Sequence, residues 1–375
     1  MIKRGKIMRG KLLLLTWVLV AGLSGGGSAA GRPQPSQTNP APEAQQLPFP
    51  AQLRKTVIFI RTNCVHMPTD AELAQMSPPD RARWTNDSIE RLRPDELARL
   101  KQESYFGTGF IVQVPEPRLG KDLGFLYLVT NRHVAQPGVE NGKPCKVVSY
   151  SFSLNHRGQS PDSPSHLQSL PANPDNVWTL PSDDSVDLAA APFALSYSDF
   201  DFQWIPLDMF VTQEMIEKDV VVEGDPVIFT GLFIQYTGMT RLEPVVRSGT
   251  VAMLPKDPVF TTLRKPGNIF LAEAHAFGGN SGSPMFVDTS RFKNALGYDY
   301  KFLGVVTGEI KETADLTLEV STAYAGTVSA NSDVSVIVPA FQVRDLLMSP
   351  VFQGLRDAYV ASHPAAQPTN QQPTK

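Results

Sequence analysis

Three residue types, in one order along the chain, carry the chemistry open to this sequence. The stretch FGGNSGSPMF (residues 277–286) sets Ser281 among glycines. A serine hydroxyl is a weak nucleophile near neutral pH. It attacks a carbonyl carbon only when a neighbouring base takes its proton and a carboxylate orients that base. The oxyanion that forms needs fixed N–H donors, and losing one costs roughly 10²–10³ in rate. Glycines beside a serine let backbone N–H groups converge without side-chain interference. The amides of Gly279 and Ser281 are therefore the candidate donors, and Ser283 falls to the supporting turn. The alternative is a Gly/Ser turn without chemistry.

A base decides between them. Of six histidines, His156, His166 and His363 sit in polar, proline-rich segments, and His66 falls in an expected insert. His133 follows an apolar run in FLYLVTNRHVA, where the end of a strand can hold an imidazole in a cleft. The acid is then Asp187, in DDSVDLAAAPF, directly before a buried run; Asp183 and Asp184 belong to the preceding solvated loop. Asp187 would hold the His133 tautomer and stabilise its cation.

The elements that must position these groups are short and β-rich. TVIFIRT, GTGFIVQV, FLYLVT, KVVSYSFSL, VDLAAAPF, DVVVEG, PVIFTGLF, RSGTVAML, NIFLAEA, FLGVVTG and VSVIVPA fit strands separated by turn residues. That number suits a barrel or sandwich protein. A block from about 64 to 104 looks helical and inserted, with a capping-box pattern at Thr69 and Glu72 and a helix entry at Pro94. A last helix starts near Pro339, and residues 155–175 read as a polar surface loop.

The blocks GTGFIV, LVTNRHV, VDLAAAP, GDPVIFTG and GGNSGSPMF, followed by FLGVVTG and VSVIVPA, resemble the trypsin-like serine peptidase family. The likeness is strongest to its bacterial HtrA-type and glutamyl-endopeptidase branches. The order His, Asp, Ser is the chymotrypsin-type order. The resemblance implies an all-β fold of two antiparallel six-stranded barrels, with His133 and Asp187 from the first and Ser281 from the second. It implies an endopeptidase acting through an acyl-enzyme on protein or peptide substrates, with no metal and no cofactor. By analogy the pocket base is His275, which does not support trypsin-like choice of Lys or Arg; the alternative is a packed, hydrogen-bonded histidine there. Thr307 and Gly308 would line the peptide-binding edge. Val306 stands where glutamyl endopeptidases carry a histidine, which argues against Glu specificity. Asn280 replaces the aspartate that animal trypsins pair with a newly cut N-terminus, so activity without that switch is expected. The PDZ domain usual in HtrA-type proteases is not expected after PAFQVRDLLMSPVFQGLRDAYV. A catalytically weak binding or scaffold protein of the same fold is the alternative. An α/β-hydrolase esterase is not supported, because the serine motif misses G-x-S-x-G.

Composition bounds the rest. The 375 residues carry a net charge of −3, so no basic field points to nucleic acid. MIKRGKIMRGK, then LLLLTWVLVAGL, then SGGGSAAG read as a secretory signal peptide over 1–30, its twelve-residue apolar run short for a bilayer span of roughly 20 residues; an uncleaved N-terminal anchor is the alternative. The mature protein is expected to be periplasmic or secreted. A Pro/Gln-rich linker follows over 31–50, the peptidase domain over 51–360, and a disordered tail over 361–375. The two cysteines, Cys64 and Cys145, either form a disulfide in an exported chain or stay as two thiols. A bond would close a long loop, worth about 4 kcal/mol in the chain-entropy view. A zinc site on Cys64, His66 and Cys145 lacks a fourth ligand and usual spacing.

Overall fold

The computed structural model describes residues 47–66, 68, 70–82, 102–120, 123–138, 145–157, 168–172, 177–196, 198–238, 241–292, 299–319 and 323–363. Side chains at 66, 102, 168–172 and 311–331 fall outside that description. The signal-like segment, most of the linker, the capping residue Thr69, the expected helix from Pro94 and the tail from 364 lie outside the described residues.

The chain builds two β-lobes. The first contains β1 (Val57–His66), β2 (Gln102–Pro115), β3 (Gly124–Thr130), β4 (Cys145–Leu154), β5 (Gln168–Ala172) and β6 (Ala189–Pro192). They pair in the order β5-β4-β1-β2-β3-β6, and β7 (Ile205–Pro206) joins β2 in parallel. The second contains β8 (Pro226–Gly231), β9 (Val245–Met253), a small hairpin of β10 (Val259–Phe260) and β11 (Pro266–Gly267), then β12 (Phe270–Glu273), β13 (Pro284–Asp288), β14 (Tyr300–Glu319) and β15 (Ala323–Pro339). Its six main strands close as β12-β15-β14-β13-β8-β9. The fold class is thus the expected double β-lobe of chymotrypsin type, with one difference. The second lobe is a closed barrel, whereas the first is an open half-barrel sheet among the described residues.

Alternation explains how β1 serves both lobes. Side chains of a strand point to opposite faces in turn. Ile58 and Ile60 pack with Ile111, Leu126, Leu128 and Phe152 inside the first lobe. Val57 and Phe59 face the other way, into one cluster with Phe110, Val129, Phe229, Val287 and Phe302. Each fully buried side chain of this kind contributes roughly 1.5–3 kcal/mol, and this second cluster is what joins the lobes.

Short helices finish the frame: α1 (Phe49–Leu53), α2 (Asp70–Gln75), α3 (Pro78–Arg81), α4 (Arg132–Ala135), α5 (Gln213–Glu217), α6 (Ala340–Leu347) and α7 (Pro350–Ser362). None described is long and apolar enough to cross a membrane. α1 begins before the expected domain start at 51, because Phe49 stacks on Tyr300 at 4.1 Å and meets Phe286 edge-on at 5.3 Å. α7 was not foreseen. Its Phe352 packs edge-on to Tyr127 at 4.8 Å, and buried Arg356 donates to Tyr127 Oη and Leu347 O, both at 2.9 Å.

Several sequence expectations change. Cys64 and residues 102–104 belong to β1 and β2, so the inserted helical block is shorter than 64–104. DVVVEG is a turn rather than a strand: Asp219 has a φ of 54°, and Val222 N–H donates to Asp225. The polar stretch 155–175 contains β5, which pairs with β4. Cys64 and Cys145 are joined in a disulfide, with Cα atoms 5.7 Å apart, between the end of β1 and the start of β4.

Candidate active site

β3 runs into a single helical turn, α4, which carries His133. Thr62 on β1 donates to Val134 O at 2.7 Å, and Tyr150 on β4 donates to Ala135 O at 2.7 Å. The turn is thereby pinned to two strands. Asn131, just ahead of it, donates to Asp187 O at 2.9 Å and fixes the strand that brings the acid. Asp187 then meets the histidine twice. Its Oδ1 accepts from His133 N at 3.1 Å, and its Oδ2 lies 2.8 Å from His133 Nδ1. A carboxylate only accepts, so Nδ1 is the nitrogen that donates to Asp187, which leaves Nε2 on the far side of the ring. The His133 side chain is 19% exposed and Asp187 is 1% exposed, so the imidazole is partly open to solvent while the carboxylate is not.

Thr307 also donates to Asp187 Oδ2, across the lobe boundary. The register of β14 against β15 skips between Val306 and Gly308, leaving Thr307 in a bulge. A bulge re-aims a side chain, here toward the carboxylate. Burial alone would raise the Asp187 carboxyl. The His133 charge, its two hydrogen bonds and the Thr307 hydroxyl overcome that and hold it below its usual value.

Ser281 sits in the loop between β12 and β13. Asn280, almost fully buried, shapes that loop: it donates to Leu232 O at 2.8 Å and accepts from Phe277 N at 2.9 Å. Gly279 and Gly282 have φ of 96° and 87°, the left-handed region where a side chain strains the backbone. A Cβ on Gly282 would also lie 1.8 Å from Thr108 O. Thr108, the middle residue of GTG on β2, clasps the loop. Its N–H donates to Ser281 O, its hydroxyl donates to Gly279 O, and that hydroxyl accepts from Leu232 N, all at 2.8 Å. Gly107 marks where the histidine turn and the serine loop converge, since a Cβ there would meet both Val134 at 2.6 Å and Ser281 O at 3.2 Å. The N–H groups of Asn280, Gly282 and Ser283 are spent on Phe277, Val306 and Asn280 carbonyls. Those of Gly279 and Ser281 donate to no group among the described residues. Ser283 is fully buried, with its hydroxyl against Gly231 and without a hydrogen-bond partner among the described residues.

The remaining candidates separate. His275 Nδ1 meets the Asp333 carboxylate on β15, with its ring edge-on to Phe277, and both side chains are about half exposed, at 47% and 54%. Gly308 lies on β14 against Thr262. His156 stacks on Phe200, and His363 stacks on Tyr359 at the end of α7. His166 lies outside the described residues. Thr108 and the bulged orientation of Thr307 were missed from sequence. The glycines on either side of Thr108 were the available signal for the first; nothing in the sequence marked the second.

No protein-family model and no curated protein matches the chain. Solved structures resemble it at low identity. The HtrA-type protease AlgW with a decapeptide is 15% identical with a TM-score of 0.39, over 82% of this chain and 66% of that one. Deg5 is 13% identical with a TM-score of 0.38, over 84% and 93%. The inactive form of the Rv3671c protease, from M. tuberculosis, is 14% identical with a TM-score of 0.37, over 80% and 91%. The chain thus spans just under two thirds of AlgW. By its own strand pairing, this protein is a chymotrypsin-like double β-lobe with a histidine, an aspartate and a serine loop gathered at the junction.

Proposed function

We propose that the protein is an exported serine endopeptidase. Ser281 Oγ attacks the scissile carbonyl while His133 Nε2 takes its proton. The oxyanion of the tetrahedral intermediate accepts from the Gly279 and Ser281 amides. As the intermediate collapses, the C–N bond breaks, and the leaving amine takes the proton from His133. Water, deprotonated by the same nitrogen, then attacks the acyl carbon; the C–Oγ bond breaks and Ser281 Oγ takes that proton back from His133. Asp187 stays ionised throughout and holds the ring. Export is supported by the basic-then-apolar N-terminus and fits the Cys64–Cys145 disulfide. The peptide chain would run along the Thr307–Gly308 backbone, with His275 and Asp333 at the side-chain end of the cleft.

One observation carries the reading. A buried aspartate holds a partly exposed histidine, beside a serine loop whose Gly279 and Ser281 amides are unspent. Ser281→Ala is expected to lower turnover of a peptide library by about 10⁶, to background. Residual cleavage by that variant at wild-type rate would remove Ser281 from the mechanism.

A further inference from the structure

The hydrolytic step leaves one part of the cleft unused. A cavity of about 490 Å³ adjoins the histidine turn, and Arg132, Asp184, Thr262, Arg264 and Lys265 are among its walls. That volume lies within the roughly 300–1,000 Å³ of ligand pockets. Its walls come from both lobes. Arg132 precedes His133, Asp184 lies on the loop leading to Asp187, and the other three belong to the β10–β11 hairpin. Thr262 Oγ is 3.4 Å from Thr307 Oγ, and Thr307 in turn donates to Asp187. The cavity is therefore two hydrogen-bonding steps from the acid of the site.

Its charge is lopsided. Lys265 and Asp184 pair with each other across the cleft. Arg132 gives a single N–H, at 3.3 Å, to the backbone carbonyl of Asp184. Arg264 makes no side-chain hydrogen bond or ion pair among the described residues, and its φ of 58° is unusual for a residue with a side chain. Asp183 is the other nearby acid. It is exposed and tied first to Ser185, with Lys265 and Arg132 acting on it only through space. Two guanidinium groups thus face the cavity with too little negative charge to match them. A guanidinium fork suits a carboxylate geometrically and stays charged at any working pH.

We propose that this cavity is an anion-accepting subsite, which takes the carboxylate of an Asp or Glu side chain of the bound peptide near the scissile bond. The inference rests on reading the cleft as a peptide-binding one. A set of fluorescent peptides tests it, each carrying one Glu at a different position, beside its Gln twin. Affinities are read by anisotropy on the Ser281→Ala protein, so no turnover is needed. At one or two positions Glu is expected to bind roughly tenfold tighter than Gln. The advantage should shrink at about 0.5 M salt and vanish in a protein that also carries Arg132→Gln and Arg264→Gln. Equal affinities for Glu and Gln at every position of the unaltered cavity would overturn the proposal, and so would a Glu preference that survives both substitutions. Fluorophosphonate labelling of the wild-type protein separates the two ideas. Labelling without acid preference removes only the subsite, whereas acid preference without labelling removes only the hydrolysis.

Discussion

At the scale of single residues, Asp187 sets the electrostatics of the site. Its carboxyl is buried, which costs the charged form, yet it is held below the ordinary value of 3.8 by His133 and Thr307. A carboxyl depressed in the fold adds stability above its unfolded value and loses that stability as pH falls through the folded one. Stability tied to Asp187 should therefore be complete above about pH 3.8 and decline below it. Thr307→Val removes one of the donors that favour the ionised form. We expect it to cost roughly 1–3 kcal/mol near neutral pH and to flatten the acid loss, because the folded value moves back toward the unfolded one. Urea midpoints measured across pH 2 to 7 check this; parallel curves for the two proteins would show that Thr307 does not act through Asp187. The residues proposed for the chemistry could be picked out in the sequence by type and order: Ser281 among glycines, His133 after a strand, Asp187 before one. Thr307 was not, because its direction depends on a register skip between Val306 and Gly308 that leaves no mark in composition.

At the scale of elements, strands were readable where apolar runs end in turn residues, as in β3 with FLYLVT and β8 with PVIFTG. DVVVEG misled because its valines fill the core from a turn: Val221 is buried while the chain bends at Asp219. α7 was missed because its apolar face is thin; its anchor is a charged residue. Arg356 is 2% exposed and binds Tyr127 on β3, the strand that leads into the histidine turn. Arg356→Ala would orphan the Tyr127 hydroxyl and the Leu347 carbonyl and remove a packed stem. We expect a loss of about 2–4 kcal/mol, seen as a lower denaturation midpoint, together with slower peptide cleavage as β3 loosens. An unchanged midpoint would mean that α7 does not brace the first lobe.

At the scale of the whole molecule, both ends of the described chain cross between lobes. Phe49 docks on Tyr300 and Phe286 before the chain enters β1, and α7 leaves the second barrel to pack on Tyr127. These straps, with the shared core, hold the half of the site that carries His133 against the half that carries Ser281. The segment around Phe49 is used for packing and the Asn280 amide is satisfied by Leu232 and Phe277, so the loop that carries Ser281 is shaped without a free N-terminal amine. A tag fused ahead of Leu47 should leave cleavage rates unchanged; strict dependence on a free terminus would contradict this. The central claim, that the junction activates one serine, is tested most directly by fluorophosphonate labelling followed by peptide mass mapping. The account predicts a single adduct on Ser281 of the folded protein, lost in His133→Ala, with Ser283 unmodified. An adduct on another residue, or no adduct on correctly folded wild-type protein, would contradict it.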